Sequence, residues 1–348
     1  RRCLKLVDLF AGCGGISLGV EEAARQRGQR LDVRLVSEID DRAATAYRAN
    51  LNLDSARMRG DVTELFGRGR GEPSELEART RRAVGNKVDM LVGGPPCQGH
   101  STLNNHTRGD DPKNALYLVM ARAAEVLQPT SVLIENVPAV ERDANGVVDR
   151  ARRRLEEAGY WVDTAIVDMH KIGVPQTRKR HVLLASRRGK PNVREAVADA
   201  LCPGRDIAWA FTRMQPPDDS LFRGAAKLSP RNLERVTVMM SRKLHDLPAM
   251  LRPACQAGFH KYKSMYGRLR FDQPAQTITT GFGSPGQGRY FHPDQPRALT
   301  AHEAARLQFF PDWFDFECMP HRTAFATAIG NAVPPKLGFV LARHLLDL

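Results

Sequence analysis

The sequence predicts an α/β protein: a doubly wound, mostly parallel sheet joined to a second, smaller and irregular domain. Three observations carry this. Short apolar runs alternate with helix-like segments from residue 4 to residue 185, the pattern of strands covered by helices on both faces. A glycine-rich turn, Gly12-Cys13-Gly14-Gly15, sits where the first strand meets the first helix. Beyond residue 186 the periodicity weakens, and residues 187–297 hold nineteen Lys/Arg against nine Asp/Glu, ten charges of the chain's net +13.

The elements follow in order. Residues 4–10 read as a strand and 17–24 as a helix; residues 33–38 form a second strand, followed by an alanine-rich helix over 41–50. Residues 88–92 and 131–134 are buried-strand candidates on either side of a helix at 115–127, and strands at 162–167 and 181–185 finish the series. Thr300-Ala301-His302-Glu303 has capping-box spacing ahead of a helix, and 334–348 is an amphipathic helix. The Gly/Arg/Glu-rich stretch 65–87 reads as a surface excursion. The expected division is a catalytic domain over 1–186 completed by 325–348, a basic domain over 187–297 and a hinge over 298–324.

Composition narrows the function classes. With 348 residues, 42% hydrophobic and 26% charged, the chain is no disordered tail, coiled coil or collagen-like rod. No apolar run reaches the ~18–20 residues of a membrane span. The six cysteines are scattered without C-x-x-C spacing, so neither a disulfide scaffold nor a metal site is expected, and a reducing cytoplasm is the expected location. A basic segment in an otherwise near-neutral chain suits a polyanion, most simply nucleic acid.

The turn after the first strand lets a ligand approach the backbone at a helix N-terminus. Its spacing is neither the dinucleotide fingerprint nor a P-loop. Glu38 ends the second strand where an acid can hydrogen-bond ribose hydroxyls, and Asp61 stands where it could accept from an adenine amino group. Together they describe a nucleoside pocket without a pyrophosphate cradle. Cys97, after Pro95-Pro96 at a strand end, is a nucleophile if its pKa is lowered; taken alone it reads more readily as a small buried hydrophobe. Glu135 ends the apolar strand 131–134, where desolvation favours a proton-donating carboxyl. In Gln176-Thr177-Arg178-Lys179-Arg180, strand alternation would send Gln176, Arg178 and Arg180 to one face.

Phe10-Ala11-Gly12-Cys13-Gly14-Gly15, Pro96-Cys97-Gln98, Glu135-Asn136-Val137, Gln176-x-Arg178-x-Arg180 and Gly330-Asn331-Ala332-Val333 occur in this order. The combination resembles the cytosine-C5 DNA methyltransferase family of bacterial and phage type, over nearly the whole chain except 187–265. The resemblance implies S-adenosylmethionine as cofactor, S-adenosylhomocysteine as product, no metal, and a target cytosine flipped out of duplex DNA. It makes Cys97 the nucleophile at cytosine C6, Glu135 the proton donor at N3, Arg180 the group holding O2 and Arg178 a residue that positions the site.

By the same resemblance Phe10, Ala11, Gly12, Cys13, Gly14, Gly15, Ile16, Glu38, Ile39, Asp61, Val62, Pro96, Leu116, Asn331 and Val333 bind the cofactor. Residues 99–114 match a mobile loop that closes over DNA; His100 departs from the aromatic residue usual there. The basic domain occupies the place of the target-recognition region, with Gln98, Ser101, Lys261, Lys263, Arg268, Arg270 and Arg289 as expected DNA contacts. A cognate restriction endonuclease is a candidate partner. A monomer is expected, with 65–87 as a candidate interface. Two alternatives stand beside this reading: a transfer-RNA cytosine methyltransferase, and a catalytically silent DNA-binding regulator of the same fold.

Overall fold

The computed structural model describes residues 2–85, 87–96, 115–253 and 264–348. The chain divides into two compact units, one of residues 1–172, 179–202 and 333–348, the other of 173–178 and 203–332.

The first unit is built on one seven-stranded sheet. Its strands are β1 (Cys3–Leu9), β2 (Arg30–Ser37), β3 (Met58–Arg59), β4 (Met90–Gly93), β5 (Ser131–Asn136), β6 (Trp161–Asp168) and β7 (Lys179–Ser186), in the spatial order β3-β2-β1-β4-β5-β7-β6. The first five run parallel, and β7 pairs antiparallel with both β5 and β6. The sheet is therefore parallel only up to β5. Order reverses between β1, which is followed by β2 on one side, and β4 on its other side. In an open α/β sheet that switch point, at the carboxyl ends of the strands, is where a crevice forms.

Helices α1 (Gly15–Gln26), α2 (Asp41–Leu51), α3 (Glu75–Val84), α4 (Tyr117–Leu127), α5 (Val147–Glu157) and α6 (Val193–Ala198) connect or cover the strands. Strand β5 is buried along all six residues and α4 at ten of eleven, as expected of central elements covered on both faces. Residues Val7, Leu9, Leu91, Val132 and Ile134 join Val119, Met120, Ala123 and Leu155 in one core against α4 and α5. Helices α1 and α6 pack with the C-terminal helix α11 (Pro335–Asp347). At the α1–α11 crossing, a Cβ on Gly19 would fall 2.3 Å from the Phe339 amide and one on Gly338 2.7 Å from the Ile16 carbonyl. Only glycine allows that approach, which anchors the chain's last helix directly behind the glycine-rich turn.

The stretch expected as a surface excursion is tied down from inside. Helix α3 opens on a full capping box, Ser74 with Glu77. The Arg122 guanidinium meets Glu77 in a two-pronged ion pair at 2.8–2.9 Å and donates to the carbonyls of Gly71 and Glu72. Arg154 does the same with Glu125 and the carbonyls of Arg68 and Gly69.

The second unit carries α7 (Ile207–Phe211), α8 (Pro230–Ser241), α9 (Ala301–Leu307) and α10 (Arg322–Asn331), with isolated β-bridges in place of a sheet among its described residues. Its packing is aromatic in one part, Phe222 against Phe316, Phe325 and His302. Elsewhere Val236, Met239, Leu247 and Phe291 form a small core. The expected capping box at Thr300 and Glu303 is present. The unit boundaries differ from the sequence division. Residues 187–202 belong to the first unit, where α6 packs on β6 and α11. The expected hinge 298–324 and the segment 325–332 lie within the second unit. Weak periodicity after residue 186 marks irregular chain, which either unit can own.

Candidate active site

The glycine-rich turn leaves β1 at the switch point. Phe10 takes a left-handed backbone, φ 58°, and Gly14, at φ 96°, caps α1. For a bulky residue such as Phe10 that conformation costs on the order of 1–3 kcal/mol and persists only where neighbours enforce it. The enforcement is visible. The Ala11 amide donates to the Ser37 carbonyl, the Gly14 amide to the Ala11 carbonyl, and the Gly12 amide to Glu38 Oε2 at 2.7 Å. The other oxygen of Glu38 accepts the Asp40 amide at 2.8 Å. Burial raises the Glu38 pKa, and these two amides pull it back.

Glu38 thus braces the turn as well as lying beside it. Ile39, the next residue, is 73% exposed, a bare aliphatic face at the strand end. Asp61 caps the short turn after β3 by accepting the Thr63 amide and hydroxyl, and Val62 is buried behind it. Cys13, Gly15 and Ile16 are buried at the start of α1, and Leu116 precedes α4.

Next along the rim, β4 ends at Gly93, register partner of Leu9 in β1 and of Ile134 in β5. This brings Gly94-Pro95-Pro96 beside Glu135. A Cβ on Gly94 would lie 3.3 Å from Glu135 Oε2 and 3.8 Å from Val333, so Val333 lies beside this segment in the first unit. Asn136 Nδ2 donates to the Pro95 carbonyl at 3.2 Å, which holds the dipeptide before Cys97. Cys97, Gln98, His100 and Ser101, with the rest of 97–114, lie outside the described residues, as do Lys261 and Lys263.

Glu135 is 7% exposed and is the penultimate residue of β5, which runs on to Asn136, two residues beyond the expected strand. It is not an isolated acid. Arg180 Nε lies 2.8 Å from its Oε1, an ion-pair distance, although the N–H is not aimed at that oxygen as a hydrogen bond. Burial lowers the Arg180 pKa and Glu135 raises it. The two groups face each other across β5 and β7.

Strand alternation does not extend back to Gln176. Strand β7 begins at Lys179, and residues 173–178 belong to the second unit. There Arg178, 2% exposed, donates to the carbonyls of Ile278 and Ala332 at 2.9 and 3.1 Å. Gln176, fully buried, bonds the Leu307 carbonyl, Gln308 and the Ile278 amide. Both side chains bind the Ile278 backbone, and Arg178 alone also reaches Ala332 of the Gly330-Asn331-Ala332-Val333 motif, which gives Arg178 a supporting position. Asn331 ends α10 and is exposed.

Two expected DNA contacts are occupied otherwise. Arg268, 9% exposed, donates to the carbonyls of Leu244 and Pro293. Arg289 spans the His245 carbonyl and Asp246. Arg270 is exposed. Counting charge located the basic region without showing that two guanidiniums are consumed by carbonyls inside it.

Asp8, Ser17, Tyr47 and Asn136 received no role from the sequence, yet they brace the site. An acid inside the apolar strand 4–10 was the available signal for Asp8. Among the described residues no group of three or more His, Cys, Asp or Glu could hold a metal, and no helix is long and apolar enough to cross a membrane.

The profile of the C-5 cytosine-specific DNA methylases matches residues 4–347. The chain belongs to that family. It is 39% identical over 345 residues to the Type II methyltransferase M1.BsuMI of Bacillus subtilis, covering 99% of this chain and 80% of the relative. It is 32% identical to M1.HphI of Haemophilus parahaemolyticus, covering 99% and 88%. Among solved structures, the S. pombe Dnmt2 methyltransferase superposes with a TM-score of 0.68 over 99% of this chain and 98% of that one, at 17% identity. The Entamoeba histolytica methyltransferase EhMeth does so at 0.66 and 15%, over 100% and 99%. At such identities these two speak for the fold. As a C-5 cytosine-specific DNA methylase, the chain is an enzyme that methylates cytosine in DNA, and the RNA and silent-regulator alternatives are not favoured.

Proposed function

We propose that this methylase transfers the methyl group of S-adenosylmethionine to C5 of a flipped cytosine in one short duplex sequence, through a covalent Cys97 adduct. The observation that carries the reading is the rim of the sheet, where the turn after β1, the Gly94–Pro96 segment after β4 and Glu135 near the end of β5 come together, with Arg180 at the start of β7 against Glu135. The cofactor's chemistry fits the residues present. Glu38 offers half-buried carboxylate oxygens for ribose hydroxyls, exposed Ile39 offers an aliphatic face for adenine, and Gly14 precedes α1 with no side-chain cap on its first amides. Phe10 stacks on the adenine, the Ala11–Ile16 turn wraps the methionine part, and Asp61, Val62, Pro96, Leu116 and Val333 complete the pocket; the assignment of Asn331 rests on the family resemblance alone.

When bound, S-adenosylmethionine supplies an electrophilic methyl group. The protein must then make C5 nucleophilic. Thiolate attack by Cys97 at C6 converts C5 into an enamine-like carbon, and a proton held by Glu135 at N3 neutralises the charge that develops on the ring. Arg180, already against Glu135, turns a guanidinium N–H toward O2. Loss of the C5 proton to water, expulsion of Cys97 as thiolate and return of the N3 proton to Glu135 restore the ring and the enzyme. Arg178 acts at one remove, by holding the Ile278 and Ala332 backbone. Arg270, Lys261 and Lys263 contact the DNA backbone, with Gln98 and Ser101 nearer the flipped base. Operation as a monomer in the cytoplasm, paired with a restriction endonuclease, completes the proposal.

The test is bisulfite sequencing of a plasmid from a methylation-free host expressing this chain. Protected cytosines within one short sequence are expected. Cytosine left fully convertible by folded protein would overturn the reading.

A further inference from the structure

Beneath the cofactor turn lies a hydrogen-bond chain that the reaction above does not use. Asp8, near the end of β1, is 1% exposed, and Ser17 and Tyr47 are fully buried. Ser17 Oγ donates to Asp8 Oδ2 at 2.6 Å, and the Tyr47 hydroxyl stands 2.7 Å from the same Oγ. Ser17 has one proton to give, so Tyr47 must donate to it, and the chain runs from Tyr47 through Ser17 to Asp8. Asp8 Oδ1 is buried and has no hydrogen-bond partner among the described residues. The three residues tie β1 to α1 and α2. The Tyr47 ring also backs the turn directly, because a Cβ on Gly14 would fall 2.9 Å from it.

We propose that Asp8 is a positioning residue for the cofactor turn, acting through Ser17 and Tyr47, and that it releases a proton when a cationic cofactor fills that turn. The proposal rests on the S-adenosylmethionine reading above. A carboxylate with one oxygen lacking a donor is costly to bury, so Asp8 favours its neutral form while no cation is near. Its surroundings agree. Burial pushes the Asp8 pKa up to about 7, the Ser17 bond opposes this, and the charge of Glu38 adds to it. Tyr47 faces Asp8 from α2 and senses Glu21 of α1 in turn, while the register partners of Asp8, Val36 and Val92, carry no charge.

Two acids, Asp8 and Glu38, therefore flank one turn and repel each other when both are ionised. S-adenosylmethionine carries a sulfonium and a net positive charge, which favours the ionised form of both. The proton on Asp8 passes to solvent as the cation enters. The product S-adenosylhomocysteine has a neutral thioether and gives no such drive.

The experiment is calorimetric titration of the full chain with S-adenosylmethionine and with S-adenosylhomocysteine, from pH 6 to 8.5, in buffers of different ionisation enthalpy. The expected result is release of roughly half a proton per S-adenosylmethionine near pH 7, with affinity rising up to about tenfold per pH unit below the midpoint. S-adenosylhomocysteine should show markedly less of both. Asp8→Asn should abolish the release and flatten the pH dependence. Glu38→Gln should move the midpoint down, and Tyr47→Phe, which weakens the donor chain, should move it up. Equal proton release with the two ligands, or wild-type release in Asp8→Asn, would overturn the proposal. Should Asp8→Asn fail to fold, an unmoved midpoint in Tyr47→Phe overturns it instead. Wild-type protein that binds neither ligand at any pH would overturn the cofactor reading itself, a separable result.

Discussion

Replacing Arg122 by Met tests whether the 65–87 stretch is held by charge or merely drapes the surface. The Arg122 side chain is 5% exposed and its partner Glu77 4%. The substitution keeps the aliphatic stem but leaves Glu77 buried beside no cation and frees the carbonyls of Gly71 and Glu72. Breaking a buried pair by removing one partner costs about 3–5 kcal/mol. The carboxyl offers an independent figure. Arg122, with the Ser74 and Gly67 amides, holds Glu77 at about 2 against an ordinary 4.5. At about 1.4 kcal/mol per pH unit that is at most about 3.5 kcal/mol, so the lower end of the range is expected.

The pH dependence has a definite sign. A depressed carboxylate contributes stability that is present above its unfolded value and lost as pH falls through its folded one. The gap between wild type and Arg122→Met should therefore be full at pH 6–7 and close between about pH 4.5 and 2. The assay is thermal unfolding followed by circular dichroism, with an expected fall of roughly 6–12 °C near neutrality for a unit of this size. Adding Glu77→Gln to the variant should recover part of the loss. A single variant melting within 1 °C of wild type, or a gap unchanged at pH 3, would refute the anchoring argument.

Three other outcomes follow from the site. Glu38→Gln keeps one acceptor oxygen but sets an amide donor against a backbone N–H, so S-adenosylmethionine affinity should fall by about 1.5–3 kcal/mol, the scale of a hydrogen bond to a charged group; unchanged calorimetric affinity would remove Glu38 from the pocket. Cys97→Ser should leave every cytosine convertible by bisulfite while retaining DNA binding in gel shifts, and full protection by that variant would end the covalent mechanism. DNA affinity should fall steeply with salt, with Arg270→Ala lowering the slope by about one phosphate contact. Arg268→Ala should instead lower the melting temperature, and the reverse pattern for these two arginines would contradict the carbonyl bonding of Arg268.

The order of motifs alone was enough to indicate family and chemistry, because each strand of a doubly wound sheet delivers its functional residue at its own C-terminal end. Gly12, Glu38 and Glu135 could be read one strand at a time. Local signals of that kind also gave Thr300 and Glu303 as a capping box and the tail as a helix. What stayed hidden depends on residues distant in sequence. Gln176 and Arg178 look like the opening of a strand until the fold places them in a different unit from Arg180. Arg268 and Arg289 look like DNA contacts until their carbonyl partners, 21–44 residues away, are known. Glu135 looks like a lone desolvated acid until β7 pairs antiparallel beside β5 and sets Arg180 against it.

Asp8 is the sharpest case. Sequence marks it only as an acid in an apolar strand, and its meaning depends on Ser17, Tyr47 and Glu38 arriving from three other elements. Hydrophobic period and turn chemistry are local and survive in the linear text. A hydrogen-bond partner or a neighbouring charge is a property of three-dimensional distance, and only the folded chain sets it.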